Sequence, residues 1–331
     1  MNLIQLPKIE LHLHLDCSLS YEMVAHFLPS VTREDYAKDY VAPAKCTNLA
    51  DFLARAPRGI QLLQTPLALE LVTKDVFGQL ENDGVIYAEL RFAPLLHTEQ
   101  GLRPKEVVEI VDRTTEQMIR ETGIEARLIL CTLRHFTEAQ SMETVRLVER
   151  FRGTRVAALD LAGDEAGYPI QPHIAAYRFA REKNLPRTAH AGEGCGPQSV
   201  WETLKLLDPA RIGHGTRSSE DPVLIGFLRR ERVHLELCPS SNVQIIPSIP
   251  EFAAHPIERL YRAGVPLNVN TDSRMLTPTT LTAEYEKLRE VFGWGSEEFL
   301  QTNLMAIEAA FVGEEVKEKL RMRVKAAYGA S

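Results

Sequence analysis

Four short stretches of this sequence gather residues able to bind a metal and move protons. The first, Glu10-Leu11-His12-Leu13-His14-Leu15-Asp16, alternates polar and apolar side chains. In a strand that alternation puts His12, His14 and Asp16 on one face and the leucines on the other. Two imidazoles two residues apart converge beyond a strand end and can share one metal ion, although a pair of hydrogen-bonded structural histidines also fits the pattern. His190-Ala191-Gly192-Glu193 and Arg211-Ile212-Gly213-His214-Gly215 each set a histidine at the end of a β-rich run. Their glycines leave room for a ligand and allow unusual backbone angles. Asn268-Val269-Asn270-Thr271-Asp272-Ser273 adds a carboxylate that, taken alone, reads as a turn or helix-cap residue.

These stretches need a scaffold that brings distant strand ends together. Short β-rich runs at 9–15, 85–92, 126–132, 156–161, 187–191, 211–213, 233–237 and 266–270 alternate with helix-length amphipathic segments. Leu69, Val72, Val76 and Leu80 recur at helical spacing before Gly84, and Val107, Val111, Thr114 and Met118 repeat the pattern before the third run. Eight β/α alternations without a flexible linker point to one α/β domain over 1–331, a (β/α)₈ TIM barrel, because each parallel strand needs a crossover helix and the eighth can close on the first. An open doubly wound sheet is the alternative. The stretch 17–65 is too long for a simple connection and should form extra helices after strand 1, beside the barrel mouth. Segments 280–291, 296–310 and 314–327 add helices at the C-terminus beyond the barrel repeat. Glu89 and Arg91, two apart on strand two, should form an interior ion pair or orient groups around the site.

In a closed barrel Asp272 comes beside His12 and His14, and His190 arrives across the mouth. Three histidines and one carboxylate around a water-accessible position suit a hydrolytic zinc site, in which the metal lowers the pKa of water toward ~7. Glu193 and His214 remain as acid/base groups, a division of labour that adding water across a C=N bond requires.

Composition narrows the field. Against 38 basic residues stand 45 acidic ones, a formal net charge of −7, which gives no broad positive field for a nucleic acid or an anionic membrane. No apolar stretch approaches the ~20 residues of a membrane span, and the N-terminus has no signal-peptide pattern. The five cysteines are widely spaced without a C-x-x-C pair, so neither a disulfide framework nor a thiolate zinc site is expected, and a reducing cytoplasm fits best. Oligomeric state is not readable from these features.

The segments His12-Leu13-His14-Leu15-Asp16, Asp160-Leu161-Ala162-Gly163-Asp164-Glu165, His190-Ala191-Gly192-Glu193, Gly213-His214-Gly215, Cys238-Pro239-Ser240-Ser241-Asn242 and Asn270-Thr271-Asp272, in this order, resemble adenosine deaminases over nearly the whole chain. The resemblance implies one zinc ion per chain held by His12, His14, His190 and Asp272, and a 6-aminopurine nucleoside as substrate. It implies that Glu193 exchanges a proton with purine N1 and that His214 orients or deprotonates the attacking water. Gly163 would donate its N–H to purine N3, and Asp16 would accept from the ribose 5′-hydroxyl. Two positions depart from the family pattern. Ser273 stands where many members carry a second aspartate that contacts purine N7, and Cys17 stands where glycine is usual. The other zinc deaminase pattern, with H-x-E and P-C-x-x-C, is not matched. The implied reaction is hydrolytic deamination of adenosine; a modified nucleoside, adenine, another barrel hydrolase activity or a catalytically silent protein on the same fold are the alternatives.

Overall fold

The computed structural model describes residues 2–329. Eight parallel strands follow one another around a barrel: β1 (Lys8–His14), β2 (Val85–Phe92), β3 (Glu125–Leu133), β4 (Val156–Ala162), β5 (Thr188–Ala191), β6 (Arg211–His214), β7 (His234–Leu237) and β8 (Leu267–Val269). Continuous ladders join β1 to β4 and β5 to β8. Bridges Leu159↔Arg187 and Leu13↔Asp272 close the two seams. At the second seam Asp272 N donates to His12 O at 2.9 Å and His14 N to Asp272 O at 2.7 Å, which fixes the carboxylate beside the H-x-H pair. The expected (β/α)₈ barrel is therefore formed.

The helices follow their sequence signals. Thr65 accepts from Ala68 N and a proline opens the helix Pro66–Asn82, which buries Leu69, Val72, Val76 and Leu80. At Gly84 the chain turns with φ +71°, and a Cβ there would lie 2.5 Å from Ile4 O, so only glycine fits. Pro104–Thr122 buries Val107, Val111, Thr114 and Met118 and ends at left-handed Gly123. Helices Tyr21–Phe27, Arg33–Asp39, Leu49–Leu53 and Ala56–Leu62 occupy the long segment after β1. Beyond β8 come Leu281–Phe292, Ser296–Ala309 and Glu314–Tyr328, with Asn303 Oδ1 accepting from Ile9 N at 2.8 Å. Ile9 and Leu11 bury their outward faces against Ala306, Ile307, Leu320 and Val324 of these last helices.

The barrel interior is charged, and burial requires every charge to be paired. Arg91 donates to Asp160 at 3.0 Å, to Glu236 at 2.7 Å and to Leu11 O at 2.6 Å. Arg211 donates to Glu236 at 2.7 Å and also reaches Glu89. Glu89 and Arg91 thus do not pair with each other. Two residues along a strand is a rise of about 6.6 Å, so Glu89 lies a layer deeper, where Tyr87 Oη and Phe311 N also donate to it. All five cysteines are free, and among the described residues no helix is long and apolar enough to cross a membrane.

Candidate active site

The C-terminal ends of β1, β5, β6 and β8 meet at one point. His14 Nε2 and His190 Nε2 are 3.2 Å apart, and Asp272 Oδ1 lies 3.6 Å from both His12 Nε2 and His14 Nε2. The far nitrogens of two of these rings are occupied. His12 Nδ1 contacts Glu236 Oε2 at 2.9 Å and His190 Nδ1 contacts Asp160 Oδ1 at 3.2 Å. A neutral imidazole that donates through Nδ1 turns the Nε2 lone pair inward. His12 Nε2 is buried without a hydrogen-bond partner, an orphan in a cluster of converging acceptors that a cation would satisfy. Burial pulls His14 down to about 3, so that ring is neutral. Burial alone would raise the Asp272 carboxyl, but the His12 hydrogen bond and the facing histidines hold it well below the usual range. This nitrogen and oxygen donor set fits a divalent transition metal. Cys238 approaches His12 and His214, yet burial pushes its thiol far up and its sulfur donates to Glu236 O, so it is not a thiolate ligand.

Close approach of the rings depends on Gly213, where a Cβ would come 3.1 Å from His12 Cε1 and 3.2 Å from His190 Cγ. His214 and Asp272 hold φ of +57° and +66°. Such backbone costs on the order of 1–3 kcal/mol per residue and persists where packing over-determines it.

His214 Nε2 faces Glu193 Oε1 at 3.4 Å. Burial raises the Glu193 carboxyl far above its ordinary value, and the charges of Asp272 and Glu165 push it further, which keeps it protonated. The loop that carries Glu193 is clamped from below. Glu165 accepts from the backbone N–H groups of Gly192 at 2.8 Å, Glu193 at 3.1 Å, Gly194 at 2.7 Å and Cys195 at 2.9 Å, and from the Ser199 hydroxyl.

A chamber of about 50 Å³, lined by His14, Gly163, His190, Glu193, His214, Asp272 and Ser273, adjoins an outer cavity of about 440 Å³. His14, Cys17, Leu53, Ala162 and Gly163 line both. A hollow of about 700 Å³ at the opposite end of the barrel, around Gln5, Gly84, Gly123 and Arg323, holds none of this chemistry. Asp16 stands in the outer cavity, in a 3₁₀ turn past the end of β1 rather than on the strand. It does not cap the helix that starts at Tyr21, since Ser20 Oγ accepts from Met23 N there. Ala93 N donates to Asp16 at 3.1 Å and His97 Nε2 lies 3.5 Å away. Burial would raise the Asp16 carboxyl, but His97 and the Ala93 amide bring it below the usual range. The Ser273 hydroxyl donates to Asp272 Oδ1 at 3.2 Å.

Every site residue expected from the sequence thus reaches the two cavities or their wall, except that His12 lies beneath them. The supports were not foreseen. Glu236 and Asp160 orient His12 and His190, Ser241 donates to Asp272 Oδ2 at 2.6 Å, and Arg134 donates to His190 O at 3.1 Å. His97 and His255, which stand in none of the motifs, are buried beside Asp16 and Asn242. The signal for several of these supports was present, because Asp160, Glu165, Ser241 and Asn242 stand inside the quoted motifs.

The comparisons agree with this geometry. The sequence model described as adenosine deaminase matches residues 7–327. A protein of Enterococcus faecalis named adenosine deaminase is 37% identical, covering 98% of this chain and 97% of its own. One of Clostridium perfringens with the same name is 34% identical over 98% of this chain and 99% of its own. Among solved structures, an adenine deaminase from Arthrobacter aurescens superposes with a TM-score of 0.89 at 26% identity, covering 98% of this chain and 99% of its own. An Arabidopsis N6-mAMP deaminase gives 0.86 at 26% identity over 98% and 99%. With its metal-ligand cluster, its buried acid and matches that span nearly the whole sequence, the chain belongs to the adenosine deaminase family.

Proposed function

We propose that this protein is a zinc-dependent hydrolase that converts adenosine to its 6-oxo product and ammonia, with one zinc ion per chain and residues 1–331 acting as one barrel domain. The observation that carries the reading is the pairing of the buried Glu193 with His214, 3.4 Å apart, above the His12, His14, His190 and Asp272 cluster. Zinc held by those four side chains would supply Lewis acidity, bringing the pKa of water toward ~7 so that hydroxide forms at neutral pH. Glu193 gives its proton to purine N1 as C6 is attacked. The ring loses aromaticity and C6 becomes tetrahedral; the proton taken from the water passes to the amino group, the C6–N bond breaks to release ammonia, and the hydroxyl proton returns to Glu193 as the C6=O bond forms. Asp272, held ionised, accepts from the attacking water, and His214 orients or deprotonates it on the other side. Gly163 N–H meets purine N3, Ser273 lies toward the N7 edge, and Asp16 accepts from the 5′-hydroxyl.

The outer cavity favours a nucleoside over its phosphate ester. Its wall carries Asp16, Glu99 and Asp164 and, among the described lining residues, no lysine or arginine. Charge repulsion therefore disfavours a phosphate there. The free cysteines suit a reducing, cytoplasmic setting. The test is ammonia release by purified, zinc-quantified protein against adenosine, deoxyadenosine, adenine, methylthioadenosine, aminodeoxyfutalosine and AMP. Preference for adenosine is expected. No turnover of any aminopurine by protein with one bound zinc would sink the proposal.

A further inference from the structure

His214 is called on either to take a proton from water or to donate a hydrogen bond to it, and the two roles need opposite tautomers. The side chains behind it decide between them. Ile257 N–H donates to His255 Nδ1 at 3.2 Å, so that nitrogen is an acceptor. His255 is buried, and burial pulls it down to about 3, so the ring is neutral and its proton sits on Nε2. His255 Nε2 lies 3.2 Å from Asn242, and the atom there must therefore be the oxygen, Oδ1. Thr216 Oγ1 donates to the same Oδ1 at 2.7 Å. The orientation of the Asn242 amide is thereby fixed, and its NH₂ points at His214 Nδ1 at 2.9 Å. His214 Nδ1 is then an acceptor. A ring whose Nδ1 accepts a hydrogen bond carries no proton there, so His214 is neutral as well. Its one proton is on Nε2, the nitrogen that faces Glu193 and the chamber.

We propose that Asn242 and His255 are positioning residues that lock His214 as an Nε2–H donor, so that His214 orients the attacking water and does not deprotonate it. The relay starts from a backbone amide, which cannot reverse its direction, and each later member has one orientation left. This inference rests on the proposed deamination for the role of His214, but the tautomer itself can be read without turnover.

The experiment is ¹⁵N NMR of the zinc-loaded protein labelled at histidine, with His214→Asn to assign its signals. The wild type is expected to show an acceptor-type Nδ1 and a proton-bearing Nε2 at His214. Asn242→Asp replaces the amide donor with a carboxylate oxygen, which demands a proton on Nδ1, and should reverse that signature. It should also lower kcat on the order of 10²–10⁴-fold, the scale of a wrong histidine tautomer, with KM and zinc content little changed. His255→Phe, which leaves the Asn242 amide free to turn, should lower kcat in the same direction, and His255→Gln, which restores an N–H donor, should recover most of it. A wild-type His214 carrying its proton on Nδ1 overturns the proposal, and so does a reversed tautomer in Asn242→Asp with undiminished kcat. If adenosine is not turned over at all, the proposed activity fails while the wild-type spectrum still decides the tautomer.

Discussion

The rim of the barrel and the cover across its mouth are built by opposite means. On the rim, His12, His190, His214 and Asp272 each take a second, fixed contact, from Glu236, Asp160, Asn242 and Ser241. The cover, residues 41–65, sends Leu49, Phe52 and Leu53 into the wall of the inner chamber and has no comparable polar network there. It is strapped to the barrel through backbone. Lys45 Nζ donates to Ile246 O at 2.8 Å and Ile249 O at 2.7 Å and also reaches Val243 O, and Cys46 N donates to Gln244 O at 2.8 Å. Directional bonds fix atoms to within fractions of an ångström, as bond making requires, whereas apolar surface excludes water and shapes what enters. Changes at the rim should therefore act on kcat and changes in the cover on KM.

The largest effect expected on the rim comes from taking away what its lone pairs converge on. Chelation should abolish turnover and lower Tm, because an ion present at 100 times its Kd stabilises the fold by about 2.7 kcal/mol. One equivalent of zinc should restore both. Full turnover by protein shown to be metal-free would break the comparison at its root.

Next is Glu193→Gln, which keeps the shape and loses the proton. We expect kcat to drop about 10²–10⁴-fold with KM and zinc content retained. Because the Glu193 carboxyl is raised, its acid form survives past the ordinary carboxylate range, and kcat in the wild type falls on the alkaline side as that proton is lost. The same shift makes the folded state bind more protons than the unfolded one, so this group's contribution to stability declines as pH rises. Glu193→Gln should therefore gain in Tm relative to wild type as pH rises through the titration. Identical pH dependence in the two proteins would remove Glu193 from the acid role.

The difference between rim and cover also governs what the sequence discloses. Strand ends were legible because period-two alternation and glycines announce them, and barrel closure then brings His12, His14, His190 and Asp272 together with no further information. The strand boundaries differ by no more than one residue at either end. His214 belongs to β6 despite its positive φ, and Asp16 falls in a turn past β1. The supports were hidden for a different reason. Glu236 and Arg211 come from neighbouring strands, and their pairing is set by barrel tilt and depth, which linear spacing does not carry. His97 and His255 looked like background histidines because their partners lie 81 residues away at Asp16 and 13 residues away at Asn242. The cover was foreseen as short helices, but which of its side chains enter the chamber depends on the Lys45 strap, and a lone lysine among small residues gives no sign of that.

A smaller effect is expected at that strap. Lys45→Met removes the ammonium and keeps an apolar stem of similar length. The head group is partly solvated, so its hydrogen bonds together hold the cover by about 1 kcal/mol rather than by the sum of three buried ones. KM for adenosine should rise about fivefold, with kcat within about twofold. A fall in kcat at unchanged KM would mean that the cover takes part in positioning the reacting atoms, and the division between the two regions would not stand.

The smallest effect should come from Cys17, where rim and cover meet. Its side chain lines both cavities, and burial pushes the thiol far above its ordinary value, so it is a neutral wall element and not a nucleophile. Cys17→Gly removes buried surface and adds backbone freedom, costing about 1–2 kcal/mol of stability, seen as a lower Tm. Adenosine kcat/KM should stay within about threefold, because no bond to a reacting atom is lost. The space released lies beside Asp16, so a nucleoside with a bulkier sugar should improve relative to adenosine, and it should do so through KM. Improvement confined to kcat would place Cys17 on the rim, as a residue whose bulk displaces the reacting carbon, and would make this departure from the family pattern a determinant of rate rather than of fit.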